Sequence, residues 1–164
     1  MRRTEQWYAD MDGTGLPEVA VMTGNDRRTE LRLPLTGVQE PIGRGRDFVR
    51  EALAAWQRPA VPAAAAPSAA SDAVLVVSEL LTNACLHGKG PRELVVLLSD
   101  AVLRVEVSDF EASAPELRSP HRPGVIGGHG LYIVAKLTDR WGVEQLAEGK
   151  KVWVEFDAAR FAAG

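Results

Sequence analysis

The chain has 164 residues, the length of one domain, and its 46% apolar and 25% charged residues are those of a globule with a sizeable core. A net charge of −3 offers no basic footprint for nucleic acid, and no apolar run approaches the length of a membrane span. The single cysteine, Cys85, excludes an internal disulfide, and with three histidines it forms no cluster at zinc-ligand spacing.

Residues 1–28 are polar and Gly-containing, and read as a mobile N-terminal extension ahead of one domain over 29–164. The opening Met-Arg-Arg-Thr-Glu-Gln has no apolar core after its charges, so it is no secretory signal and a cytoplasmic location is expected. Thr29 to Leu35 alternates as a strand, with Pro34 suiting a sheet edge. A helix is expected over 38–56, burying Phe48, Val49, Ala52, Leu53 and Trp56 and wetting Arg44, Arg46, Arg50 and Glu51. Its start is blurred by Pro41, Gly43 and Gly45. Residues 57–70 are a Pro/Ala linker, because Pro59, Pro62 and Pro67 forbid a continuous helix. A second helix follows from Ser71-Asp72, an N-cap signal, to His87, with Gly88 as its stop. Val74, Val77, Ser78, Leu81 and Cys85 recur at spacings of three and four, a stripe that makes Cys85 a small core residue.

Lys89-Gly90-Pro91 is a turn. Glu93–Ser99 and Val102–Ser108 then alternate as an antiparallel hairpin around Ser99-Asp100-Ala101. Residues 110–126 lack periodicity and contain Pro115, Pro120 and Pro123, the pattern of a lid. A helix over 130–137 precedes a last hairpin, Arg140–Leu146 with Lys151–Asp157. The expected class is α+β: a two-layer α/β sandwich with a mixed, mostly antiparallel sheet of about five strands and helices on one face.

Glu79, Asn83 and His87 fall at every fourth position of the second helix, on a face separate from the apolar stripe. A carboxylate there can take a proton or orient a water, and an amide oxygen can ligate a hard cation such as magnesium. A solvated polar face explains the same spacing. Asp109 closes the strand after Val107-Ser108, and Gly127-Gly128-His129-Gly130-Leu131 opens the third helix with glycines that let backbone approach an anion. A tight loop-to-helix turn accounts for the glycines equally well. Arg118, His121 and Arg122 in the lid are either phosphate ligands or solvated charges.

The order Glu-x-x-x-Asn on a helix, Asp at a strand end, then a Gly-rich turn into a helix resembles the ATP-binding domain shared by gyrase, heat-shock chaperone and histidine-kinase families, a Bergerat-type fold. It looks closest to the bacterial anti-sigma-factor serine/threonine kinases and their actinobacterial relatives, which Trp141-Gly142 and Gly149-Lys150-Lys151-Val152-Trp153 also resemble. The likeness covers roughly residues 29–157. It implies ATP and magnesium as cofactors, with Asn83 on the ion and Glu79 as the catalytic base. Asp109 would accept from the exocyclic amine of adenine, which a carboxylate does and guanine's oxygen cannot answer. Gly128, Gly130 and Leu131 would line the nucleotide, with His87 nearby. The implied partners are ATP or ADP, a small anti-anti-sigma-like antagonist protein and a sigma factor. No nucleic acid and no membrane are expected, and a homodimer is left open. Three positions depart from the pattern. Asp109-Phe110-Glu111-Ala112-Ser113 lacks the glycines of Asp-x-Gly-x-Gly, His129 stands for a common Arg, and Lys151 stands for a common Thr that helps bind adenine. These departures predict modest affinity. They keep open a second reading, a non-catalytic nucleotide-binding module.

Overall fold

A computed structural model describes residues 18–20, 28–56, 67–113 and 129–161. The strands are β1 (Glu18–Ala20), β2 (Thr29–Pro34), β3 (Pro91–Leu98), β4 (Val102–Asp109), β5 (Arg140–Gln145) and β6 (Lys150–Asp157), and the helices are α1 (Pro41–Ala55), α2 (Pro67–His87) and α3 (His129–Leu137). The sheet has six strands in the order β1-β2-β3-β4-β6-β5.

Every neighbouring pair in that order is antiparallel, not mixed. The chain path explains this. Two successive helices, α1 and α2, lie between β2 and β3, so the chain re-enters the sheet reversed. A single helix, α3, lies between β4 and β5, which run parallel but are kept apart by β6. The first 28 residues contribute β1, which pairs its three residues with Glu30–Arg32. Pro34 therefore lies on the second strand, beyond the reach of β1, where its missing N–H leaves no ladder bond unmade.

Alternation sets the two faces. Leu103, Val105, Val107 and Asp109 of β4 are buried, as are Lys150, Val152, Val154 and Phe156 of β6. These inward rows meet Phe48, Val49 and Ala52 of α1, Val134 of α3 and the buried side of α2 in one core. The other face carries charge. Arg104 bonds Glu106 at 2.7 Å and Glu155 at 2.9 Å, and Lys151 reaches Glu106 and Glu144 at 3.1 Å. Trp153 lies there too, over Gly142 on one side and under the Arg104 guanidinium at 4.3 Å.

The helices start where proline allows. Pro41 and Pro67 occupy the first positions of α1 and α2, where a missing N–H removes no helical bond. Ser71-Asp72 thus lies a turn inside α2 and does not cap it. This earlier start makes Ser68–His87 long and apolar enough, by length and composition, to cross a membrane, contrary to the expectation of no such run. Here it is the central helix of the layer, burying Ala73, Val76, Val77, Leu80, Leu81 and Ala84. That stripe is rotated from the expected one by about one residue, 100° on a helix. Cys85 consequently falls outside it and is exposed. Gly45 of α1 is buried because α2 comes close: a Cβ there would meet Leu81 and Leu94.

Candidate functional site

The site is organised along the last two turns of α2. Glu79 and Asn83 are half-buried on the flank of α2 opposite its contact with Gly45, and the first turn of α3 rests on them. A Cβ on Gly130 would lie 2.9 Å from Glu79 Oε2, 3.1 Å from Asn83 Nδ2 and 3.2 Å from Asn83 Oδ1. Glycine gives this close approach without displacing either side chain, and it places the Glu79 carboxylate beside the N-terminal turn of a helix. Leu131, the next residue, is buried, anchoring that turn. His87 is exposed at the end of α2. Gly127 and Gly128, Arg118, His121, Arg122 and nearly all of the expected lid lie outside the described residues.

One turn further, α2 ends against Asp109. Gly88 and Gly90 both donate to the Ala84 carbonyl, at 3.0 and 2.9 Å, and Gly88 accepts from the Phe110 N–H at 2.9 Å. A Cβ on Gly88 would stand 2.5 Å from Asp109 Oδ2. Asp109 and Lys150 are the two buried charged residues among those described, and they are register partners on β4 and β6. Lys150 Nζ donates to Asp109 Oδ1 at 3.0 Å and to the Glu111 carbonyl at 2.9 Å. The Glu111 N–H also donates to Asp109 Oδ1, at 3.0 Å. Lys89 pairs with Glu111 from outside at 2.9 Å, and this hydrogen bond holds the Glu111 carboxyl below its ordinary range. Gly149, at φ 88°, closes the far side, and a Cβ on it would collide with the Asp109 carbonyl oxygen.

A family model of the histidine kinase-like ATPase domain matches residues 45–156. The chain belongs to that family. Among solved structures, the histidine kinase domain of the blue-light activated histidine kinase from Erythrobacter litoralis EL346 is similar at 21% identity and a TM-score of 0.41, over 78% of this chain and 63% of that one. A second structure of that kinase is similar at 24% identity and a TM-score of 0.39, over 76% of this chain and 42% of that one. The chain thus spans less than two thirds of either. No curated protein sequence matches it.

The fold of this family is an ATP-binding one, and the residues can be tested against that ligand. The α2–α3 end fits: a carboxylate and an amide lie side by side next to a helix start that a glycine keeps open. No group of three His, Cys, Asp or Glu among the described residues could hold a metal by itself, so Asn83 would share an ion with phosphate oxygens. The β4–β6 end does not fit as it stands. Asp109, expected to accept from adenine, already accepts two hydrogen bonds on Oδ1, one of them from an ammonium. From the sequence, the departure from the threonine pattern falls at Lys151. The structure puts Lys151 on the opposite face, with Glu106 and Glu144, and brings Lys150 to Asp109 instead. Strand parity carried that signal: Lys150 is in step with Val152 and Val154.

Proposed function

We propose that this protein is an ATP-binding regulatory protein of the anti-sigma type, a serine/threonine kinase acting on a small antagonist protein. The observation that carries the reading is the pairing of Glu79 and Asn83 under Gly130. ATP with magnesium would supply the phosphoryl group. Asn83 would hold the ion through its amide oxygen, and Glu79 would take the proton from the partner's hydroxyl as it attacks. Family membership and the glycine-lined start of α3 support this assignment.

The second reading, a nucleotide-binding interaction module without phosphotransfer, is favoured by the Asp109–Lys150 pair, which weakens the case for tight nucleotide binding. Two measurements on the full chain separate them. Calorimetry with magnesium-ATP tests binding. Transfer of labelled γ-phosphate to a co-encoded small antagonist protein tests catalysis. Transfer supports the kinase. Binding without transfer or hydrolysis establishes the module, and no binding at millimolar nucleotide sinks both.

A further inference from the structure

Lys150 is not needed to fill the core, and its place is unusual. It stands at the first inward position of β6, in a row otherwise made of Val152, Val154 and Phe156. Its side chain is 6% exposed and that of its partner Asp109 is 5% exposed. Burying an ammonium is unfavourable unless its protons are answered, and here a carboxylate oxygen and the Glu111 carbonyl answer two of them. The same bonds tie the chain after β4 inward. Glu111 is gripped by Asp109 through its N–H, by Lys150 through its carbonyl and by Lys89 through its carboxylate.

We propose that Lys150 is a built-in occupant of the adenine end of the proposed nucleotide site, a proposal that rests on the nucleotide-binding reading above. Its ammonium bonds Asp109 Oδ1, while Oδ2 lies against Gly88, so the carboxylate that a base amine would seek is already engaged. The ammonium brings a full positive charge to the buried carboxylate, which the neutral adenine amine does not, so the amine does not displace it. Removing one partner of a buried pair leaves the other charge unanswered, which opposes displacement further. The site therefore recognises its ligand mainly through the polyphosphate end, at Asn83 and the start of α3, and reads the base weakly. A short hydroxyl at position 150 would free Asp109 and restore base recognition.

The test compares magnesium-ATP with magnesium-tripolyphosphate, which has the phosphates and no base, by calorimetry on the full chain. In the wild type the two bind with affinities that differ by less than about tenfold, ~1.4 kcal/mol. Lys150→Thr tightens ATP by about tenfold or more and leaves tripolyphosphate unchanged. A wild-type preference for ATP of tenfold or more overturns the proposal, as does a Lys150→Thr protein that melts cooperatively without gaining ATP affinity. Should Lys150→Thr fail to fold, the wild-type ratio decides by itself. If the wild type binds neither ligand, the proposal and the nucleotide-binding reading fall together. If it binds ATP alone, only the proposal falls.

Discussion

Glu79 and Asn83 share one flank of α2, yet their chemistry separates what each substitution does. The Asn83 amide can ligate a cation in the ground state, and it lies off the buried stripe, so truncation removes little packing. Asn83→Ala is expected to lower magnesium-ATP affinity by about tenfold or more, ~1.4 kcal/mol, while its melting temperature stays near that of the wild type. Calorimetry with and without magnesium measures it, and unchanged magnesium-dependent affinity removes the residue from the ion. In the proposed complex Glu79 would sit beside phosphates of its own charge, so its benefit would belong to the transition state. Glu79→Gln keeps the shape and removes the base. Its ATP affinity should be equal or slightly tighter, and its phosphotransfer slower by about a hundredfold or more. A loss of affinity as large as that of Asn83→Ala would make the carboxylate structural. The positions of Glu79, Asn83 and Asp109 were legible in the sequence because helix spacing and a strand end place them without knowledge of the partners. Lys150 was not, because its meaning lies in the strand register that seats it opposite Asp109, across 41 positions of chain.

The elements show why some glycines are fixed and others are not. Gly149 has φ 88° in the β5–β6 turn and faces the backbone of Asp109, which cannot move aside as a side chain can. Gly149→Ala is expected to destabilise by at least about 2 kcal/mol, combining left-handed strain with overlap. Gly43 lies inside α1 with open space where a Cβ would go, so Gly43→Ala should stabilise by about 0.5–1 kcal/mol through helix propensity. Denaturant unfolding of both variants measures the contrast. On the outer face, Glu155 bonds Arg140 at 2.7 Å and Arg104 at 2.9 Å. Partial burial pushes its carboxyl up, and these two guanidinium bonds outweigh that, holding it below its ordinary value of 4.5. A carboxyl depressed in the folded state binds fewer protons than in the unfolded one, so it stabilises above pH 4.5 and loses this as pH falls through its folded value. Glu155→Gln should flatten that acid-side loss in melting curves taken from neutral pH downward. The helix and strand types were readable from periodicity, and their order held. What was not readable was the start of α2, because Pro67 breaks a helix when inside it and begins one when first. The rotation of its buried stripe, which exposes Cys85, follows from packing between α1 and α3.

At the scale of the molecule, the sheet order joins β4 to β6, among the described residues the one pairing between strands that are not successive in the chain. Everything N-terminal to it, β1 to β4 with α1 and α2, lies on one side, and α3, β5 and β6 lie on the other. The seam is eight register pairs long, from Val102–Asp157 to Asp109–Lys150. It also carries the stacking of Arg104 on Trp153 at 4.3 Å. A polypeptide ending at residue 119 and a second beginning at residue 120 would thus be complementary halves, each with one newly opened strand edge. Mixed, they should reassemble with a rate that depends on concentration, reported by tryptophan fluorescence in halves that keep Trp153 as the single tryptophan, since covalent linkage only sets the effective concentration of the two halves. A shift of that fluorescence in the second fragment alone would show that the seam is not what orders it. The same seam then makes the chain divisible: cut between its halves, it is a two-piece reporter that signals whenever two fused proteins bring the pieces together.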